Sequence, residues 1–207
     1  MPEPGSASPS DARDVGVVLD EMIKAHLVAV ASLGELVPNI ERLATEISSR
    51  LGRGGIVYTF GNGGSAADAQ HLTGELIGRF LRERRPLASV ALSTDPSVTT
   101  CIANDYGYEE VLARQIKALA GANDVLVVFS TSGRSPSVLN GIVAARARGA
   151  LTILLTGSRP PVGADLADHV LRVASTDTQR IQEVHVLMLH LLSETIDRWA
   201  VESRGDR

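Results

Sequence analysis

The sequence predicts an α/β domain in which a five-stranded parallel sheet is flanked by helices. Short apolar runs alternate with stretches of helical periodicity after Gly54-Gly55, an order of elements typical of a parallel sheet covered on both faces. Aromatic residues make up only 3% of the chain, so the core is expected to consist of Ala, Val, Leu and Ile, as in helices packed on a buried sheet. The predicted strands cover residues 56–60, 88–92, 125–129, 151–155 and 169–173.

The predicted helices begin with a long amphipathic segment, residues 14–51. Its apolar residues recur at helical spacing, and Pro38 is expected to kink it or to split it into two helices. This segment and the last helix are long, and they offer more apolar surface than one small sheet can cover. We therefore expect both to pack on partner subunits. The other predicted helices cover about residues 65–80, 107–119, 136–148 and 178–202.

Composition and charge exclude several classes of protein. Residues 1–12 are rich in Pro, Gly and Ser, which predicts a disordered tail rather than a secretory signal. No apolar run reaches the roughly 18 residues that a bilayer span needs. The net charge of −4 gives no attraction to nucleic acid or to anionic membranes. The single cysteine, Cys101, excludes an internal disulfide. We expect a cytoplasmic protein in which Cys101 is a small buried hydrophobic residue.

Polar, glycine-rich segments follow three of the predicted strands, at residues 61–65, 93–95 and 130–135. Ligands of open α/β sheets bind beyond the carboxyl ends of the strands. The third segment precedes a predicted helix, whose N-terminal N–H groups and dipole favour phosphate. An ordinary serine-rich loop with one helix cap is the alternative, but the density of hydroxyl groups exceeds what a cap needs. The candidate phosphate-binding residues are Ser130, Thr131, Ser132 and Ser135.

The first of these segments has the same strand–turn–helix setting. Its backbone N–H groups could face sugar hydroxyls, at Asn62, Gly63 and Gly64. The same residues also fit a plain turn, followed by a capping box formed by Ser65 and Asp68. The local sequence leaves both interpretations open.

Four polar side chains are placed so that they could meet between two helices. His71 and Glu75 are four residues apart, and Gln182 and His190 are eight residues apart, so each pair lies on one face of its helix. Taken singly, an i,i+4 His/Glu pair is usually a surface pair, and a histidine in an apolar helix is usually a core residue. The spacing does not show that the two helices meet.

Four motifs together resemble the corresponding segments of the phosphoheptose isomerases, a family with the sugar isomerase (SIS) fold. They are GNGGSAADAQH, the Asn104-Asp105 pair, STSGRS and RIQEVH, in this order within about residues 15–200. The resemblance implies one SIS domain over residues 13–207, a homotetramer with active sites at subunit interfaces, and a phosphosugar substrate. It also implies one Zn²⁺ per active site, bound by His71, Glu75, Gln182 and His190.

The activity implied by the resemblance is the aldose–ketose isomerisation of sedoheptulose 7-phosphate to D-glycero-D-manno-heptose 7-phosphate. Glu75 is the implied base and His190 the implied acid. These residue types suit the reaction, because moving a proton between C1 and C2 through an enediol needs a base, an acid and stabilised oxygens. A divalent ion can polarise those oxygens, although glutamine is an uncommon zinc ligand. The resemblance places Asn104, Asp105, Glu75 and Gln182 among the substrate-binding residues. An Asx-type turn before Gly107 explains Asn104 and Asp105 equally well.

Two other functions remain open on the same fold. One is a non-catalytic binding protein associated with a replication initiator, which lacks the counterparts of Glu75 and His190. The other is an isomerase or sensor for a different phosphosugar. Arg134 stands where the family has asparagine, and it could bind phosphate or face solvent.

The remaining polar residues are expected to have structural roles. His169 is predicted to lie at a strand edge, and His185 is predicted to be a structural or exposed helix residue. Arg180 and Glu183 are predicted to form a surface pair.

Overall fold

The computed structural model describes residues 14–160, 162 and 164–203, so the predicted disordered tail, residues 1–12, lies outside the described residues. The sheet has five parallel strands in the order β2-β1-β3-β4-β5, which confirms the predicted fold class. The strands are β1 (Val57–Gly61), β2 (Ser89–Ala91), β3 (Val125–Phe129), β4 (Leu151–Thr156) and β5 (His169–Arg172).

Helices cover both faces of the sheet. They are α1 (Val15–Ala31), α2 (Val37–Gly52), α3 (Gly64–Ile77), α4 (Pro96–Tyr106), α5 (Val111–Leu119), α6 (Pro136–Ala147) and α7 (Thr178–Glu202). Because successive strand side chains alternate between faces, Val127 of β3 packs with α2, α3 and α7. Its neighbour Val128 packs with α5 and α6. The chain therefore has two apolar cores, one on each side of the sheet.

Two helical regions differ from the prediction. The break in the N-terminal segment is a 3-10 turn, Ser32–Leu36, and Pro38 lies in the first turn of α2, where its missing N–H costs nothing. The sequence analysis missed α4, because Ile102 is its only buried hydrophobic residue and the helical period is therefore weak. Asp95 was an available signal, since its carboxylate accepts from the Val98 N–H at 3.0 Å and caps the helix.

The outer face of α1 is apolar and exposed, with Val15, Leu19, Ile23 and Leu27 each more than half exposed. A cavity of about 490 Å³ lies between this helix and α7, and its wall is mainly apolar. None of the helices in the described part of the chain could cross a membrane.

Arg180 is buried, whereas the sequence predicted it in a surface pair. Its side chain pairs with Glu183 and donates to the main-chain carbonyl of Met22. Glu183 also bonds His26 of α1, at 2.7 Å. The pair therefore joins α1 to α7, because α1 covers the first turns of α7 and excludes solvent from the arginine.

Three other residues test the predictions of burial. Cys101 is exposed, so its predicted burial is wrong. His185 is fully buried, with its ring edge-to-face on Phe129, and burial lowers its pKa to about 4 against the opposing effect of the Thr156 main chain. His169 lies on the edge strand β5, as predicted, and its ring bonds Glu46 at 3.2 Å.

Candidate active site

A cavity of about 270 Å³ opens at the carboxyl ends of β1 and β3. Among the residues that the structure describes, its wall contains all four candidate phosphate-binding residues and no charged side chain. The residues that line it are Asn62, Gly64, Ser65, Phe129, Ser130, Thr131, Ser132, Ser135, Thr178 and Gln182. The sheet topology thus brings the 61–65 and 130–135 segments together at one edge, as expected for neighbouring parallel strands.

Three helix N-termini converge on this cavity. Gly64 is the first residue of α3, Ser135 is the N-cap of α6, and Thr178 is the first residue of α7. Neither α3 nor α6 has a side-chain hydrogen bond at its cap. The first N–H groups of a helix and its dipole attract anions, so the cavity suits a phosphate without any cationic side chain. The sequence analysis missed Thr178, although Asp177 before it is an N-cap signal.

Main-chain bonds fix the shape of the 130–135 loop. Gly133 has a φ of 60° and donates to both the carbonyl and the hydroxyl of Ser130, each at 3.2 Å. The Arg134 N–H donates to the Ser132 hydroxyl at 3.2 Å. The Arg134 guanidinium is exposed and donates to the Pro160 carbonyl at 3.1 Å. Its side chain therefore lies against the neighbouring loop, an arrangement that differs from both sequence-based alternatives, phosphate binding and free exposure to solvent.

The 61–65 turn forms the opposite wall of the cavity. The Asn62 amide donates to the Ser137 hydroxyl at 3.1 Å and accepts from the Tyr108 hydroxyl at 2.7 Å, so its orientation is fixed. The sequence analysis did not identify Tyr108. Gly63, with a φ of 57°, is the N-cap of α3. The predicted capping box is therefore wrong, and Ser65 and Asp68 are instead buried.

His71, Glu75 and His190 form a second group of side chains, where α3 and α7 meet. The Nε2 atom of His71 lies 3.1 Å from a Glu75 carboxylate oxygen and 3.4 Å from the Nε2 atom of His190. One ligand atom from each of the three residues lies within 4.8 Å of the others. Neutral imidazoles and a carboxylate are the usual nitrogen and oxygen ligands of zinc, so the donor set fits a divalent metal ion.

The other predicted site residues lie elsewhere. Gln182 lines the cavity, where its amide donates to the Ser65 hydroxyl at 3.4 Å. Asn104 and Asp105 are exposed at the end of α4, bonded to each other at 2.7 Å, and are not among the lining residues.

Comparisons with known proteins identify the family. A family model described as SIS domain matches residues 24–157. The phosphoheptose isomerase of Bradyrhizobium sp. (strain ORS 278) is 44% identical over 186 residues, which cover 86% of this chain and 94% of that protein. The chain belongs to the phosphoheptose isomerase family. It is therefore an isomerase of the aldose–ketose class.

Solved structures of phosphoheptose isomerases share the fold. The Francisella tularensis protein matches with a TM-score of 0.86 and 32% identity, covering 90% of this chain and all (100%) of that one. The Neisseria gonorrhoeae protein matches with a TM-score of 0.78 and 39% identity, covering 89% and 97%. The resemblance drawn from the four sequence motifs is thus confirmed.

Asp68 of α3 places a buried carboxyl group one helical turn from the histidine cluster of this member of the phosphoheptose isomerase family. Asp68 precedes His71 by one helical turn and is 7% exposed, and its Oδ2 atom has no hydrogen-bond partner among the described residues. Burial raises the pKa of Asp68 to about 6, and His71 opposes the shift. The site therefore contains a buried carboxyl group whose pKa lies above its ordinary value, at a residue that the sequence indicated only as a helix cap.

We expect Ser132→Ala to raise the KM for a sugar phosphate with little change in kcat. A phosphate contact is equal in the ground and transition states, so its loss weakens binding alone. Losing a hydrogen bond to a charged oxygen should cost about 1–3 kcal/mol, measured by steady-state kinetics. Ser158→Ala is the control, because that hydroxyl bonds the Ser175 carbonyl outside the cavity. An unchanged KM for Ser132→Ala would show that this loop does not bind the phosphate.

Proposed function

We propose that this enzyme interconverts sedoheptulose 7-phosphate and D-glycero-D-manno-heptose 7-phosphate by proton transfer between C1 and C2 through an enediol. The observation that carries the proposal is the placement of the anion-binding cavity and the His/Glu/His cluster along the same two helices. Ser65 and Gln182 line the cavity, and His71 and His190 follow them by six and eight residues. A rise of 1.5 Å per residue separates the main chains of these residues by about 9–12 Å along the helix axes.

This separation favours a seven-carbon sugar. An extended heptose 7-phosphate is long enough to hold its phosphate in the cavity while its C1 and C2 reach the cluster. The similar proteins are phosphoheptose isomerases, which supports the same substrate class.

Proton transfer is assigned to Glu75 and His190. The Glu75 side chain is 17% exposed and bonded to His71, which fixes its carboxylate in the cluster, beside which C1 and C2 are proposed to lie. Glu75 removes the proton from C1 and returns it to C2, while His190 donates a proton to the C2 carbonyl oxygen and takes up the proton that the C1 hydroxyl loses. The presence of both residues supports an enzyme over a non-catalytic binding protein of the same fold.

One Zn²⁺ per active site is proposed to be held by His71, Glu75 and His190. When bound, the ion would polarise the carbonyl and stabilise the enediolate oxygens. Three protein ligands with an open position are typical of catalytic zinc sites. Gln182 is the proposed fourth ligand, and it would have to exchange its bond to Ser65 for the metal.

The remaining proposals concern sugar binding, assembly and cellular location. Asn62, Gly63, Gly64 and Gln182 are proposed to hold the sugar chain. Asn104 and Asp105 lie outside the cavity of their own chain and are proposed to act at a subunit interface. The exposed apolar face of α1 supports a homotetramer with active sites at those interfaces. An exposed cysteine without a disulfide supports the cytoplasm as its location.

Glu75→Gln should abolish isomerisation of sedoheptulose 7-phosphate and leave the fold intact. The amide cannot accept the carbon-bound proton, so kcat should fall roughly 10²–10⁴-fold, measured by NMR of the sugar. Glu46→Gln is the matched control, because Glu46 also bonds a histidine Nε2 atom, at 3.2 Å, but at the far edge of the sheet. Near-normal turnover by Glu75→Gln would exclude Glu75 as the base.

Protein purified without chelator should contain one zinc ion per chain by elemental analysis. His71→Ala should lose the metal, since it removes one of the proposed ligands, whereas His26→Ala, a change at the α1–α7 contact, should retain it. Full activity of metal-free protein in chelator would contradict the catalytic role of the metal, but not the isomerase assignment.

Light scattering at micromolar concentration should report a homotetramer. The reason is the exposed apolar face of α1, which a partner subunit would bury. Leu19→Glu together with Ile23→Glu should shift the protein to smaller species. A monomer for the unchanged chain would contradict the proposed assembly.

A further inference from the structure

The segment between α3 and β2, residues 78–88, contacts both helices that carry the His/Glu/His cluster. We infer that Arg84 and Phe80 of this segment are positioning residues, which fix Glu75 and His190 relative to each other for metal binding and proton transfer. The inference rests on the proposed function for its catalytic part. The roles follow from three sets of contacts.

Arg84 joins the end of α3 to α7. Its side chain is buried, and its Nε atom pairs with the Asp197 carboxylate at 2.7 Å. One terminal nitrogen donates to the Leu76 carbonyl at 3.0 Å, and the other donates to the Glu75 carbonyl at 2.6 Å. The last carbonyls of a helix lack partners within it, so the guanidinium caps α3 at the residue that carries the candidate base.

Asp197 lies on the same face of α7 as His190, because seven residues make about two helical turns. It is fully buried and also accepts from the Arg82 N–H at 2.9 Å. The Arg82 guanidinium pairs with both oxygens of Glu194, each at 2.8 Å. Four charged groups thus fix the segment to α7. Because Arg84 also bonds the Glu75 carbonyl, it fixes the end of α3 relative to α7.

Phe80 holds the ring of His190 directly. The two rings are stacked, with centroids 5.6 Å apart and an angle of 27° between their planes. His71 contacts the same imidazole edge-on, with a centroid distance of 5.0 Å. The ring of His190 is therefore confined between two neighbours, in the orientation that turns its Nε2 atom towards His71.

A purely structural role for these contacts makes a different prediction. A buried ion pair that only stabilises the fold would change the unfolding temperature when altered, and leave the metal affinity of the folded protein unchanged. A positioning role changes metal affinity and kcat in protein that is still folded, since groups around metal ligands tune binding and small displacements lower turnover.

The test compares four variants. Phe80→Leu removes the stacked ring, and Phe80→Tyr restores it. Arg84→Lys keeps the charge and loses the multiple bonds. Arg146→Lys is the matched control, because Arg146 also reaches a carboxylate, Asp168 at 3.7 Å, and two main-chain carbonyls, at residues 165 and 166, on the far side of the sheet.

Cobalt(II) titration of the metal-free protein, followed by its absorption spectrum, is the first measurement. Phe80→Leu and Arg84→Lys should bind Co²⁺ about 10–100-fold more weakly, and Phe80→Tyr and Arg146→Lys should bind it as the unchanged protein does. In zinc-loaded protein, kcat should fall by a similar factor while KM changes less than about threefold, because the phosphate contacts are unaffected. Folded Phe80→Leu with unchanged Co²⁺ affinity and unchanged kcat would overturn the role of Phe80.

The measurements separate this inference from the proposed function. Co²⁺ binding needs no substrate, so inactivity of the unchanged protein on sedoheptulose 7-phosphate would refute the substrate and leave the positioning test intact. If the unchanged protein binds no metal, proton NMR of the His190 ring tests the positioning roles instead. The His190 resonance is identified by its loss in His190→Gln. Arg84→Lys should move it towards its position in Phe80→Leu, and an unmoved resonance would overturn the role of Arg84. Should Arg84→Lys not fold, Asp197→Asn replaces it, since the amide oxygen still accepts from Arg84.

Discussion

The packing of α3 against α7 is the constraint on which the rest of the site depends. Their first residues meet at the cavity, where Gly64 lies so close to Gln182 that a Cβ atom there would be 2.6 Å from the amide nitrogen. Further along, Leu72 and Leu76 of α3 pack in the same core as Met188 of α7. The same contact brings His71 and Glu75 to His190. One pair of helices therefore contributes to both the cavity and the His/Glu/His cluster, and the helical rise sets the spacing of the two along the helices.

The proposed anion site has no cationic side chain among its described residues. The chain carries a net charge of −4, and the described residues that line the cavity include no charged side chain. Attraction comes from the N-termini of α3, α6 and α7 and from hydroxyl groups, whose dipoles act over short distances. Such a site binds a phosphate that has already entered and does not draw anions from far away.

The sequence predicted those features that depend on a residue's own neighbours along the chain. All five strands and the shared face of His71 and Glu75 follow from apolar period and four-residue spacing, and the hydroxyl-rich 130–135 loop lies at the strand end where the sequence placed it. Features that depend on distant contacts could not be predicted. Thr178 joins the cavity because α7 begins beside the 130–135 loop, Arg180 is buried because α1 covers it, and Phe80 lies on His190 because the 78–88 segment folds back. Cys101 was predicted buried from its residue type alone, without regard to the outward face of α4.

Directional bonds are needed where α3 and α7 hold reacting groups, because the contacts between them are otherwise apolar. Apolar burial is non-directional, so it fixes the distance between two helices better than their register. In this chain a polar bond lies at each end of the shared seam, Gln182 to Ser65 near the cavity and Arg84 to Asp197 beyond Glu75. The cluster lies between these two bonds. A shift of one helix along the other would break a buried charged pair, which costs far more than exchanging apolar contacts, and this sets the register in which Glu75, His71 and His190 meet.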